Sequence, residues 1–268
     1  MNPATLASTF LAARDAAGRL PLPTALIPGF SLEDAYAVAE AARTLRIARG
    51  ERPRGYKIGF TNRSIWPKYG VHAPIWGPVW DSSLTMLGGT EATLSLAGLV
   101  QPRLEPEIVF GFARAPRAGM SVAALTACLD WVAHGFEIVQ THFDDWRFQA
   151  PDTIADFGLH GRLLVGPRVA ASAFADLPGE LAAMNLELFS GESKVDEGAG
   201  RVVLDGPLNA LHLWVDAMAA QVPRWPIEAG DVVTTGTLTD AWPMAAGQQW
   251  STRLSDARLP GLRLRVEA

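Results

Sequence analysis

Glu105 and Glu107 stand two apart in the stretch Val100-Gln101-Pro102-Arg103-Leu104-Glu105-Pro106-Glu107-Ile108-Val109-Phe110. On a β-strand, side chains two apart project to one face, so both carboxylates would share a site while Pro106, Ile108 and Phe110 pack the other way. Two like charges so placed repel, and either a pKa rises or a cation compensates. A hard divalent cation with oxygen ligands meets that demand. Taken alone, the pair also fits an edge strand with two solvated acids. A third acid changes the balance: His134-Gly135-Phe136-Glu137-Ile138-Val139-Gln140 reads as a strand that sets Glu137 between apolar neighbours. Three carboxylates, water and a chelating ligand complete an octahedral Mg2+ or Mn2+ shell. Zinc is disfavoured, because His72, His134, His142, His160 and His212 are scattered and read as surface or packing residues.

Lys57 lies in a second apolar strand, Arg54-Gly55-Tyr56-Lys57-Ile58-Gly59-Phe60-Thr61-Asn62. Turned inward, its ammonium requires an anionic partner or a depressed pKa; turned outward, it is an ordinary edge-strand lysine. The turn-rich stretch that follows carries Trp66, Trp76 and Trp80 and ends at Asp81-Ser82-Ser83. It is either surface packing or a pocket wall, and Asp81 is either a turn residue or a candidate acid or base. Further on, Ala229-Gly230-Asp231-Val232-Val233-Thr234-Thr235-Gly236-Thr237 is a turn feeding a buried strand. Its glycine end would let backbone N–H groups and the hydroxyls of Thr235 and Thr237 approach a ligand at Gly236.

The remaining elements read as the frame for these residues. A helix is expected over Thr5 to about Gly18, and Ser31-Leu32-Glu33-Asp34 forms a capping box opening a second helix to about Arg49. Ser121 to about Trp131 reads as a helix, Asp152 to Gly166 as a loop entering a strand, and Leu181 to Phe189 as a strand. Pro207 to Gln221 is an amphipathic helix with Leu208, Leu211, Trp214, Val215 and Met218 on one face. A terminal pair, Gln249 to Leu254 and Leu262 to Val266, is expected to close the sheet. Residues 1–268 are read as a single catalytic domain, with a helical portion over 1–53 and a β-rich core over 54–268.

Composition narrows the partners. A net charge of -5 without Lys/Arg clusters argues against nucleic acid and anionic membranes, leaving a small molecule. The first residues carry no basic leader, and Arg14 and Asp15 interrupt the apolar positions that follow, so neither a signal peptide nor a membrane span is expected. The single cysteine, Cys128, cannot form an internal disulfide and sits in an apolar run as a packing residue. A cytoplasmic location is the expectation. No glycine-rich phosphate loop precedes a helix.

Together, Gly55-Tyr56-Lys57-Ile58-Gly59, Glu105-Pro106-Glu107-Ile108, Phe136-Glu137-Ile138-Val139 and the 229–237 segment resemble the 2-keto-4-pentenoate hydratase and 4-oxalocrotonate decarboxylase family, within the fumarylacetoacetate hydrolase superfamily. The resemblance implies an α+β fold with a mixed β-roll core and N-terminal helices. It implies Mg2+ or Mn2+ on Glu105, Glu107 and Glu137, with Lys57 and Asp81 beside the substrate and Thr235, Gly236, Thr237 and Leu159 in contact with it. It further implies a homo-oligomer, with a related subunit or a downstream aldolase as a candidate partner.

The expected substrate is a short 2-oxo or 2-hydroxydienoate acid, hydrated to a 4-hydroxy-2-oxo acid. Decarboxylation of a 2-oxo-dioate uses the same enolate stabilisation, so the acids alone do not separate the two lyases. A non-catalytic subunit of a hydratase and decarboxylase pair is the reading from another class. Two segments depart from the family pattern. Gln140-Thr141-His142 stands where the hydratases carry Asp-Ser-Arg, replacing a fixed cation with a titratable ring. Asp156-Phe157-Gly158-Leu159 stands in place of Asp-Asn-Ala-Ser, making a polar pocket contact apolar. The superfamily's C–C hydrolases resemble a His-x-x-Glu pair ahead of Glu-x-Glu, whereas here His134-x-x-Glu137 follows it, which argues against acylpyruvate hydrolysis.

Overall fold

Asn2 opens the first helix, Pro3–Asp15, by accepting from the N–H groups of Ala4 and Thr5 in the computed structural model, which describes residues 2–221 and 225–268. The expected capping box forms at Ser31 and Asp34 and starts the helix Leu32–Ala48. These two helices pack together, burying Phe10, Leu11, Val38 and Ala42. They cover the turn that will form one wall of the site.

The chain then alternates strands with short connections: β1 (Pro53–Gly59), β2 (Ile75–Trp80), β3 (Leu84–Met86), β4 (Glu91–Ser95), β5 (Arg103–Phe112), β6 (Leu129–Val139), β7 (His160–Val165) and β8 (Val169–Ala170). After these come β9 (Asn185–Ser190), β10 (Ser193–Ala199), β11 (Val232–Thr237), β12 (Trp242–Pro243), β13 (Gln249–Leu254) and β14 (Arg263–Glu267). Among the described residues the larger sheet runs β2-β1-β11-β5-β6-β7-β3, with β12 on β5 and β8 on β6. The smaller runs β10-β9-β13-β14-β4. Strands of both directions and the N-terminal helices make this the expected α+β, mixed β-roll architecture.

The register of the central strands positions the site. β5 and β6 pair antiparallel with Glu105 opposite Glu137 and Glu107 opposite Gly135. β1 runs parallel to β11 with Lys57 opposite Thr234, and β11 pairs β5 on its other side. Between Thr234 and Thr237 that register shifts, and Gly236 takes φ +103°. A side chain there would collide with the Thr61 hydroxyl, so only glycine lets β11 bend at this point. Behind the strands, the helix Pro207–Ala220 buries Leu208, Leu211, Trp214, Val215 and Met218, and Trp214 packs on Tyr56 at 5.3 Å between ring centroids. Burying each such side chain contributes about 1.5–3 kcal/mol.

Several elements differ from the sequence expectation. The helix expected over Ser121 to Trp131 is one turn, Val122–Thr126; Leu129 and Trp131 already belong to β6, because the β5 ladder extends that far. Leu181 lies in a helix, Leu177–Ala183, that Asp176 caps, and the strand begins only at Asn185. The stretch Ile75–Trp80 is a buried strand despite Pro78, tolerable because β2 is an edge of the larger sheet. Asp152 belongs to a short helix, Ala150–Ala155. The terminal strands pair as expected but build the smaller sheet rather than closing the larger one. No helix among the described residues is long and apolar enough to cross a membrane.

Candidate metal centre and active site

The period of two on β5 carries Arg103, Glu105 and Glu107 to one face. Glu137 reaches them from β6, and one carboxylate oxygen from each of Glu105, Glu107 and Glu137 lies within 4.8 Å of the others. Glu107 and Glu137 are fully buried, while Glu105 is partly exposed to a cavity of about 350 Å³. Lys57 enters from β1, also buried, with Nζ 3.3 Å from Glu137 Oε2. The inward orientation of this lysine is thus settled, and its anionic partner is one of the three acids.

Each acid is held in a particular pose. Glu107 Oε2 accepts from the N–H of Gly236 at 2.7 Å and from the Thr234 hydroxyl. Glu137 Oε1 accepts from His160 Nδ1 at 2.9 Å, and His160 Nε2 lies 2.8 Å from the Ser83 hydroxyl. Two oxygens are left over: among the described residues Glu107 Oε1 has no hydrogen-bond partner, and Glu137 Oε2 faces the ammonium alone. Buried carboxylate oxygens without donors are costly, and a hard cation satisfies them. The donor set, all carboxylate oxygen and converging, fits a hard divalent cation.

The charges respond to this crowding. Burial, reinforced by repulsion from Glu137, pushes Glu105 up to about 7 against the pull of Lys57. Burial and the two neighbouring acids push Glu107 well above the ordinary carboxylate value. Burial would raise Glu137 too, but Lys57 and His160 outweigh it and hold Glu137 low. Lys57 shows the converse: burial would lower it, yet the three glutamates keep it raised and charged. Burial holds His160 neutral, down to about 4. A carboxylate only accepts, so the neutral ring carries its proton on Nδ1 and receives the Ser83 hydroxyl at Nε2.

The other sequence candidates divide. Gly236, Thr237 and Leu159 line the same cavity as Lys57 and Glu105. Thr235 does not, because alternation along β11 turns it away and its hydroxyl donates to the carbonyl of Ile108 at 2.9 Å. Asp81 does not reach the cavity either. It sits exposed just past β2, where it accepts from the N–H of Arg52 at 3.1 Å and its own N–H donates to the Arg52 carbonyl. In this structure Asp81 has the contacts of a turn residue, and among the described residues the acids lining the cavity are Glu105 and Asp240.

Sequence reasoning missed His160, because its link to Glu137 is made across the ladder between β6 and β7 rather than by spacing. It also missed the aromatic wall. Tyr69 stacks between Phe60 at 4.9 Å and Phe148 at 5.8 Å, and Arg103 lies 4.2 Å over the Trp146 ring. His142 and Asp156, from the two departing segments, form a buried pair with Nδ1 2.5 Å from Oδ1. Asp156 also anchors the turn at Phe157, Gly158 and Leu159, all at positive φ. That turn packs on Gly77, where any side chain would strike the Phe157 carbonyl.

No family model matches the chain. It is 32% identical over 224 residues to a 2-hydroxyhexa-2,4-dienoate hydratase of Comamonas testosteroni, covering 83% of this chain and 82% of that protein. It is 28% identical over 236 residues to a 4-oxalocrotonate decarboxylase of Pseudomonas sp. strain CF600, covering 87% and 86%. Among solved structures, a 4-oxalocrotonate decarboxylase from Pseudomonas putida G7 complexed with magnesium and adipate superposes with a TM-score of 0.90. That pair shares 23% identity over 98% of this chain and 97% of the other, and shares its fold.

Proposed function

Because the chain belongs to the 2-keto-4-pentenoate hydratase and 4-oxalocrotonate decarboxylase family of the fumarylacetoacetate hydrolase superfamily, we propose that it hydrates a 2-hydroxydienoate to a 4-hydroxy-2-oxo acid. It is an enzyme of the hydro-lyase type. One observation carries the reading: three glutamate oxygens converge beside a charged buried lysine at the floor of a cavity.

Glu105, Glu107 and Glu137 would hold the cation. Mg2+ or Mn2+ supplies, when bound, Lewis-acid stabilisation of the negative charge that develops on the 2-oxo oxygen. Lys57, kept charged by its three acidic neighbours, offsets the substrate carboxylate and offers a proton at Nζ as the enol becomes a ketone. Gly236 and Thr237 border the acid end, while Leu159 and the Tyr69, Phe148 and Trp146 rings wall the carbon chain and orient it for the addition of water. A cytoplasmic homo-oligomer built from one catalytic domain, with a related subunit or a downstream aldolase as partner, completes the proposal. Chelator-treated protein should lose turnover of 2-hydroxypenta-2,4-dienoate and regain it with Mg2+ or Mn2+. Full activity without metal would overturn the mechanism.

A second reading, decarboxylation of a 2-oxo-dioate, is favoured by one feature. Arg103 and Lys68 line the cavity, and among the described residues neither forms a salt bridge. Arg103 lies two residues from Glu105, about 7 Å along the strand, where a far-end carboxylate would meet it. Carbon dioxide release from a 2-oxo-hexenedioate exceeding dienoate hydration would assign the chain to this reaction instead.

A further inference from the structure

Arg14, Arg46, Arg49 and Arg162 come together around a recess of about 230 Å³, where Arg14 donates to the His160 carbonyl. They arrive from separate elements: Arg14 from the first helix, Arg46 and Arg49 from the end of the second, and Arg162 from β7. Two carboxylates share the recess, and each is taken. Glu51 binds Arg46 through both oxygens, at 2.9 Å and 2.5 Å, and Asp15 binds Arg49 at 2.9 Å. Among the described residues Arg14 and Arg162 have no acidic hydrogen-bond partner: they donate to the carbonyls of His160 at 3.0 Å and Gly161 at 2.9 Å, and Arg14 also lies 5.3 Å over the Phe157 ring.

Two guanidinium groups without acidic hydrogen-bond partners among the described residues line the same recess, a local excess of positive charge on a chain of net charge -5. Its strain is visible in Arg14, which is lowered to about 10 by burial first and then by the neighbouring Arg46 and Arg162, against opposing contributions from Asp156 and Glu51. Arg162 is lowered for the same two reasons, burial and then Arg46. The floor is rigid: Arg46 is nearly fully buried, stacked 4.4 Å over the Trp80 ring, and its Nη2 lies 3.3 Å from the Ser82 hydroxyl. An incoming anion would meet donors already fixed in place.

We propose that this recess binds a phosphate-type dianion, with Arg14 and Arg162 as its principal donors. The charge excess of two matches a group carrying about -1.5 to -2 at neutral pH, and planar guanidinium forks suit tetrahedral oxyanions. Such an anion ties the first helix to β7 and to the end of the second helix. Folding and binding are therefore linked, and occupancy raises stability.

The test uses full-length, metal-loaded protein. Its thermal midpoint and calorimetric binding are measured with inorganic phosphate and with glycerol phosphate, against sodium chloride of matched ionic strength. Phosphate is expected to raise the midpoint saturably and chloride to leave it unchanged; tighter binding of the ester would identify the dianion as the end of a larger metabolite. Arg162→Gln, which strips only a bond to the adjacent carbonyl, is expected to weaken phosphate binding tenfold or more while dienoate turnover persists. Arg14→Gln provides a second variant with the same expectation. The proposal fails if phosphate acts no differently from chloride, or if binding survives in both variants, which would locate the anion at the metal. It fails equally if protein concentration, not phosphate, sets the midpoint and the arginine variants abolish self-association, since acidic side chains of a second copy then fill the recess.

Discussion

Nδ1 of His160 lies 2.9 Å from Oε1 of Glu137, and with the Ser83 hydroxyl at its other nitrogen the ring is locked between β2's end and the glutamate trio. The ring fixes which lone pair of Glu137 remains for a cation, because the other oxygen is consumed. Hydrogen-bonded partners behind metal ligands typically govern affinity by about 10–100-fold. His160→Ala is accordingly expected to weaken Mg2+ or Mn2+ binding within that range, and Ser83→Ala to do so less. Titration calorimetry reads both, and unaltered affinity in His160→Ala would remove the ring from this role.

Glu107→Gln isolates ligand charge from ligand shape. The amide keeps an oxygen for the Gly236 N–H and Thr234 hydroxyl, which anchor the residue from β11, but loses the anionic oxygen aimed at its neighbours. The variant should fold, since the repulsion among three buried acids is relieved. Circular dichroism is expected to match the parent while metal binding falls below detection. Retention of wild-type affinity would exclude Glu107 as a ligand.

Lys57→Met separates catalysis from metal capture. The ammonium 3.3 Å from Glu137 competes electrostatically with any cation at the trio, so its removal should leave metal affinity equal or stronger. Turnover should nonetheless fall by about 10²–10⁴-fold, the usual contribution of a positioned proton donor. If metal binding collapsed together with activity, Lys57 would be a structural support for the acids and nothing more.

Asp81→Asn is expected to change little. Its carboxylate serves an exposed turn with Arg52, outside the cavity, and surface substitutions of that kind stay within about 0.5 kcal/mol. Steady-state kinetics should give values close to those of the parent. A large loss of turnover would mean that Asp81 reaches the substrate by a rearrangement absent here.

The contrast between Asp81 and Glu137 indicates what the sequence could reveal. Glu105, Glu107 and Glu137 sit within long strands, and the period of two assigns their face once the strands are recognised. Lys57 was ambiguous for the same reason that it matters: a lone lysine in an apolar strand has two faces available, and only β11 and β5 beyond it decide which is inward. Thr235 lies outside the cavity because alternation along β11 turns it away, and where that strand bends near Gly236 is set by its neighbours and not by any local pattern. His160 and the arginine recess depend on elements far apart in the chain meeting in space, for which no local pattern exists. The short helix at Val122–Thr126 was overextended because Leu125 to Trp131 suits either period, and the β5 ladder decided it.

Asp156 poses the last test, because it joins the segment Gln140-Thr141-His142 to the turn at Phe157-Gly158-Leu159. Its Oδ1 lies 2.5 Å from His142 Nδ1, and its Oδ2 accepts from the His142 N–H at 2.9 Å and the Thr141 hydroxyl at 3.3 Å. Its carbonyl accepts from the Leu159 N–H at 2.8 Å, closing the turn that rests against Gly77 and the Lys57 stem. Asp156→Ala keeps the backbone bond to Leu159 but strands the His142 and Thr141 donors in a buried interior, where His142 Nε2 already lacks a hydrogen-bond partner among the described residues. A buried donor left without its acceptor costs about 1–3 kcal/mol, which urea unfolding would register as a lower midpoint with an unchanged slope. The turn at Phe157 to Leu159, at positive φ and with Phe157 packed edge-on against the His142 ring, should also loosen once that ring loses its carboxylate, raising KM for the dienoate in whatever fraction remains folded. Leu159→Ala trims the same cavity wall without touching the anchor, so it should raise KM with little change in the unfolding midpoint. Equal midpoints for Asp156→Ala and the parent would show that the turn stands without its carboxylate.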